Sequence, residues 1–254
     1  MKWIDTHTHL NVSEFDNDRI QVIENALQNG IIKMILPNID AFHIPSMSLT
    51  KSLRPDSIEL MMGLHPCSVK ENYKEELVII RKELFEGKYK AVGEIGLDLY
   101  WDKTSLDIQK DAFMEQLKWS HELNLPVSIH SREATQECLE CIVGLNKMIQ
   151  GVFHCFSGTV EQARKIVELG MFLGIGGVVT YKKTNLPEII NAVGLENLVL
   201  ETDSPYLSPV PNRGKRNESS YISLIGRSIA DILNSRIEEV AELTTFNAQQ
   251  IFRI

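Results

Sequence analysis

Two histidines two residues apart, His7 and His9, lie in the run Trp3-Ile-Asp-Thr-His-Thr-His9, and four more potential metal ligands, Glu94, His130, His154 and Asp203, end later apolar runs. Side chains on a strand alternate between its faces, so in a regular strand His7 and His9 project the same way. Trp3 and Asp5 would share that face, with Asp5 inside and below the histidines, where a buried carboxylate needs a partner and would either orient a ligand histidine or take a local backbone hydrogen bond. Glu201 shares a face with Asp203 and raises the same question. Imidazole with carboxylate suits Zn, Mn, Fe, Ni or Co, and the lack of thiolate argues against a closed structural zinc. Six ligands are many for one ion with an open position. They suit two ions about 3.5–4 Å apart, bridged by a carboxylate. Four neutral imidazoles, one Glu and one Asp carry about −2, so two divalent ions would leave a pocket of about +2, suited to a phosphate.

Eight strands are needed to bring these groups together. The runs 2–7, 33–37, 59–64, 91–95, 127–130, 151–156, 172–176 and 198–202 read as strands covered on both faces. Helical patterns separate them. Ile20, Ile23 and Leu27 form a stripe ending at Gly30. Thr159 and Gln162 have capping-box spacing ahead of Ala163, Ile166 and Val167. Pro187 suits a first helical turn, and residues 221–252 read as two helices breaking near Asn234. This alternation predicts a single-domain α/β fold over residues 1–254, a (β/α)8 TIM barrel, with a doubly wound sheet as the competing topology. Such a barrel gathers its chemistry at the C-terminal mouth, where all six groups would meet. Five of the seven histidines, His7, His9, His65, His130 and His154, sit at or just past strand ends.

Composition narrows the setting. The 254 residues are 43% hydrophobic with a net charge of −8, so any polyanion must be held by a local patch or by metal rather than by overall charge. No apolar run approaches the ~18–20 residues of a membrane span. No basic-then-apolar leader is read, and a cytoplasmic location is expected. Cys138 and Cys141 form a Cys-x-x-Cys on a helical pattern, read as two small apolar residues on a helix face.

Six ordered motifs then carry a resemblance. Asp5-Thr-His-Thr-His-Leu10, Gly63-Leu-His-Pro66, Gly93-Glu-Ile-Gly-Leu-Asp98, Leu125-Pro-Val-Ser-Ile-His-Ser-Arg-Glu-Ala134, Phe153-His-Cys-Phe-Ser-Gly158 and Glu201-Thr-Asp-Ser-Pro-Tyr206 resemble the TatD-type metal-dependent deoxyribonucleases. The resemblance spans nearly the whole chain. It implies a barrel with two divalent metals (Mg, Mn or Zn) and a cytoplasmic phosphodiesterase trimming DNA from the 3′ end. It implies His7, His9, Glu94 and Asp203 around one metal and Glu94, His130 and His154 around the other, with Asp203 also the catalytic acid/base. The loop Pro209-Val-Pro-Asn-Arg-Gly-Lys-Arg-Asn-Glu218 resembles the family's loop after its last metal-binding strand. Asn212 and Ser219 stand where the family often has His and Pro.

The remaining candidates concern substrate. His65 is expected at the mouth, outside the metal ligands, touching phosphate. Arg132, Arg213, Lys215 and Arg216 are candidates for gripping a DNA backbone, which positions without reading sequence. Tyr100 and Trp101 follow the Glu94 motif in a loop, where they could stack on a base or pack on the rim. The competing activity is an amidohydrolase acting on a small amide, lactone or ester. Many dinuclear members of that group bridge their metals with a modified lysine from strand four, and here Glu94 takes that place. A third possibility is a barrel whose metal serves binding or assembly.

Overall fold

The apolar runs form eight short parallel strands: β1 (Trp3–Asp5), β2 (Ile31–Leu36), β3 (Ile58–Met62), β4 (Ala91–Asp98), β5 (Val127–Arg132), β6 (Gly151–Phe153), β7 (Phe172–Ile175) and β8 (Leu198–Leu200). The computed structural model describes residues 1–254. Each strand pairs with the next in chain order. Residues just past the ends of β1 and β8 continue the pattern: Thr6 N donates to Leu200 O at 3.0 Å, Asp203 N to His7 O at 2.9 Å and His9 N to Ser204 O at 2.8 Å. These bonds close the sheet into a barrel and settle the topology against the doubly wound alternative.

Nine helices follow: α1 (Arg19–Gln28), α2 (Ile44–Leu53), α3 (Tyr73–Glu86), α4 (Leu106–Leu123), α5 (Thr135–Gly144), α6 (Val160–Glu168), α7 (Leu186–Val193), α8 (Ile222–Leu233) and α9 (Ile237–Phe252). Several ends follow the sequence reading. Thr159 and Gln162 form a reciprocal capping box at α6, Pro187 lies in the first turn of α7, and Asn234 takes a left-handed conformation between α8 and α9. On α1 the reading is corrected: Ile20 is exposed, and Val22, Ile23 and Ala26 form the buried stripe.

The core has two layers. A cluster of 58 buried residues fills the space between barrel and helices. A smaller one fills the barrel itself: Ile4, Ile35, Met61, Ala91, Val152 and Val199 from six strands, capped by Ala248, Ile251 and Phe252 of α9. The α9 end therefore plugs one mouth with apolar side chains. The opposite mouth, at the strands' C-terminal ends, carries the polar groups.

This layering corrects the facing of Asp5. Ile4 points into the barrel, whereas a Cβ on Gly226 of α8 would sit 2.5 Å from the Trp3 ring, which places Trp3 outside. Asp5 falls on the Trp3 side. It accepts from Thr202 N at 2.9 Å and Thr202 Oγ1 at 2.6 Å. It thus ties the end of β1 to the segment after β8, rather than supporting a histidine from below. The regular strand stops at Asp5, and the two-residue alternation stops with it.

Candidate metal centre

Six of the eight strands contribute to the mouth. Glu94 sits within β4, where the register shifts between Val92 and Ile95. Val92, Ile95 and Leu97 face the outer core, leaving Glu94, Gly96 and Asp98 on the inner face. On β5, Ser128, His130 and Arg132 alternate with the outward Val127 and Ile129. His7, His9, His154 and Asp203 lie just past the ends of β1, β6 and β8, still held by backbone bonds to neighbouring segments. Asp203 does so at φ +53°.

Glu94 is the hub and is 2% exposed. Its Oε2 lies 3.1 Å from His7 Nε2 and 3.6 Å from His9 Nε2. Its Oε1 lies 2.9 Å from His130 Nδ1 and 2.8 Å from His154 Nε2. One carboxylate thus presents one oxygen to each of two imidazole pairs. Asp203 Oδ1 closes the first group, 3.4 Å from His9 Nε2 and 4.0 Å from His7 Nε2. The rings of His7 and His154 stack at 3.9 Å, bringing the two groups side by side.

Neighbours set which nitrogen of each ring is free. His7 Nδ1 meets Ser128 Oγ at 3.2 Å, so a proton there leaves the Nε2 lone pair aimed at the centre. His130 Nε2 meets Asp98 Oδ2 at 2.8 Å, leaving Nδ1 free. His154 Nδ1 lies 3.4 Å from Glu201 Oε1, leaving Nε2 free. A carboxylate behind a ligand histidine fixes its tautomer and raises its basicity. Glu201 thereby acquires the supporting role left open by the sequence. Asp98 was missed as a support, although it closes a motif and shares a face with Glu94 across Gly96. That parity was the available signal.

His65 lies nearer the hub than the sequence suggested, with Nε2 3.3 Å from Glu94 Oε1. Its Nδ1 accepts from Cys67 N at 3.0 Å. The neutral ring therefore carries its proton on Nε2, which can donate to an oxygen but has no lone pair for a metal.

Electrostatics follow from this packing. Burial alone would raise Glu94, but His154, His65 and His7 around it hold its carboxyl well below the usual range. Burial likewise opposes ionisation of Asp203, and its bond from His9 with the charges on His154 and His7 outweighs it. Asp98 is brought down to about 2: burial opposes this, while His130 and the Trp101 and Tyr100 N–H groups favour the carboxylate. Burial lowers His7, whereas for His154 the burial effect is overcome by Glu94 and Glu201 and the ring is raised.

The donor set fits divalent metal. Two groups, His7/His9/Glu94 and His7/His154/Asp203, each place their ligand atoms within 4.8 Å of one another, and Glu94 and His130 are as close to His65, which offers an N–H rather than a lone pair. The four cysteines are free, and the buried Cys138–Cys141 pair belongs to the core, as read from sequence.

The basic candidates divide. Arg132 lies 3.8 Å over the Tyr100 ring, and Arg213 4.5 Å over Tyr181. Lys215 is exposed. Arg216 is already occupied: it bonds both Asp18 oxygens at 2.8 and 2.6 Å, Glu14 O at 2.7 Å and Glu218 at 3.2 Å, over the Phe15 ring. It clamps its loop to the segment before α1 and has little left to offer a phosphate. Buried Asn217 holds the same loop from inside, donating to Thr202 O and Tyr206 O, both at 2.7 Å, on either side of Asp203.

Known proteins resemble this chain in sequence and fold. The uncharacterised metal-dependent hydrolase YabD of Bacillus subtilis (strain 168) is 36% identical over 98% of this chain and 98% of its own length. The uncharacterised metal-dependent hydrolase YcfH of Escherichia coli (strain K12) is 34% identical over 78% of this chain and 75% of its own. The crystal structure of YjjV, a TatD homologue from Escherichia coli K12, superposes with a TM-score of 0.92 at 28% identity, covering 99% of this chain and 98% of that one. The family model described as TatD related DNase matches residues 4–253, and the chain belongs to this family of metal-dependent hydrolases.

Proposed function

We propose that this protein is a metal-dependent deoxyribonuclease that hydrolyses DNA phosphodiesters stepwise from the 3′ end, with weak sequence preference. The observation that carries this reading is Glu94, whose two oxygens face separate imidazole pairs beside Asp203. We assign His7, His9, Glu94 and Asp203 to one divalent ion, and Glu94, His130 and His154 to a second. When bound, such a pair of ions lowers the pKa of an attacking water and offsets the charge of the phosphoryl oxygens.

The chain's own groups supply the rest. The Asp203 carboxylate is the more open of the two central ones, with its side chain 13% exposed against 2% for Glu94. It orients a water from the solvent side and takes its proton. His65 Nε2–H donates to a phosphate oxygen. Arg132, Arg213 and Lys215 hold backbone phosphates, which fix register without reading bases. Arg216 anchors the loop that carries two of them. Glu94 stands where a bridging lysine would mark the small-molecule amidohydrolases. No helix is long and apolar enough to cross a membrane. Four free cysteines suit a reducing cytoplasm.

The test is direct. Metal-stripped protein is incubated with 5′-labelled single-stranded DNA, and Mg²⁺, Mn²⁺ or Zn²⁺ is added. A ladder shortening from the 3′ end, absent in Asp203→Asn, is expected. Intact DNA under every metal, with turnover of a lactone or amide instead, would overturn the reading.

A further inference from the structure

The loop after β4 holds two aromatic rings open to solvent beside the metal centre. Trp101 is 71% exposed and Tyr100 49%. Their rings meet edge to face at 4.9 Å, and the Arg132 guanidinium lies 3.8 Å above Tyr100 and 5.5 Å from Trp101. Arg132 has no carboxylate partner, because neighbouring Glu133 faces Lys103 at 3.7 Å. A cation held over aromatic faces, with its N–H edge free, suits a planar ring joined to an anion.

The arrangement is built rather than accidental. Asp98, 2% exposed, accepts from Tyr100 N at 3.0 Å and Trp101 N at 3.1 Å through one oxygen. Its other oxygen holds His130 at 2.8 Å. The same carboxylate therefore fixes the aromatic loop and a metal-centre ring. Arg132 lies two residues beyond His130 on the same face of β5, about 7 Å further out. Beside it opens a groove of about 790 Å³, lined by Tyr100, Arg132, Ser157, Gly158, Thr159 and Asn185.

We propose that Trp101, Tyr100 and Arg132 form a nucleobase-binding shelf: the base of the nucleotide next to the scissile phosphate stacks on the aromatic rings while Arg132 holds that nucleotide's phosphate. The inference rests on the nuclease reading above and adds a contact to the base itself. Every base has a stacking face, so the shelf raises affinity without imposing sequence.

Trp101 supplies its own probe, since the other two tryptophans, Trp3 and Trp119, are 1% and 3% exposed. Full-length protein in EDTA at low salt is titrated with a short single-stranded oligonucleotide and with a sugar–phosphate chain of equal length lacking bases. The oligonucleotide is expected to quench Trp101 fluorescence and to bind roughly 5- to 150-fold more tightly than the abasic chain. Trp101→Leu should bring its binding, read by anisotropy of a labelled oligonucleotide, close to the abasic level, and Trp101→Phe should restore most of it. Equal or absent binding of the two chains by a protein that still trims DNA with metal would overturn the shelf alone. Absent binding by a protein that leaves DNA intact under every metal would overturn the shelf and the nuclease reading together.

Discussion

The chemistry of this mouth rests on which ring nitrogen is free, and a few side chains decide that. Glu201 behind His154 and Asp98 behind His130 each stand on the far side of a ring from Glu94. Replacing either by its amide keeps the shape and removes the charge. Glu201→Gln and Asp98→Asn should each weaken metal affinity by about 10–100-fold, measured by titration in a metal buffer. Wild-type affinity in both would show that these carboxylates are bystanders. Arg216 makes a different residue-scale case. Its bond to Asp18 holds that carboxyl below its ordinary value. A depressed carboxylate stabilises the fold above its unfolded pKa of about 3.9 and loses that contribution as pH falls through the lower folded value. The pair is partly exposed, so solvent screening limits it to about 0.2–1 kcal/mol. Arg216→Ala should lower Tm by about 1–3 °C at pH 7, with the difference from wild type closing below about pH 3. A gap unchanged with pH would assign the loss to packing on Phe15 instead.

Elements place these residues by leaving the ladder at chosen points. Asp203 sits at positive φ between Thr202, held by Asp5, and Tyr206, held with Thr202 by Asn217. Asn217→Ala would strand carbonyls at about 1–3 kcal/mol for each one left buried. It should lower the urea midpoint and reduce kcat more than it changes KM. Asn217→Asp should not rescue it, because that carboxylate would face two carbonyls. A wild-type midpoint and kcat in Asn217→Ala would refute the clasp. The same geometry explains what could be read in advance. The residues that meet at this mouth were legible because histidines past apolar runs stand out in any strand pattern. Strand ends were not: the first, sixth and eighth were read as far as residues 7, 156 and 202 but stop at Asp5, Phe153 and Leu200. In each, strand-like backbone bonds continue past the end of the strand into the segment that carries the histidines or Asp203. The fourth was read only to residue 95, whereas β4 runs on through Gly96, at φ +137°, to Asp98. That error concealed Asp98. The facing of Asp5 was lost for the opposite reason, an assumed regularity beyond the strand's end.

At the scale of the molecule, the barrel is asymmetric along its axis. One mouth is filled by Ala248, Ile251 and Phe252, and the other is lined by Glu94, Asp203, Asp98 and Glu201 among histidines. The apolar end supports the fold with or without metal, so stripping the ions should leave a folded, less stable protein rather than an unfolded one. The polar end gathers carboxylates and imidazoles in a way only the folded chain achieves, so metal binds the native state and stabilises it by mass action. At a free concentration of 100 times Kd, one ion contributes about 2.7 kcal/mol. For a chain of this length that raises Tm by roughly 5–10 °C. Glu94→Gln should abolish most of the rise, because it weakens the one carboxylate facing both imidazole groups. Glu201→Gln should reduce it in part, since it acts behind His154 alone. Differential scanning fluorimetry of the EDTA-treated protein with added Mg²⁺, Mn²⁺ or Zn²⁺ reads all three cases. A Tm indifferent to every metal, or a rise that survives Glu94→Gln undiminished, would place the ions somewhere other than this mouth.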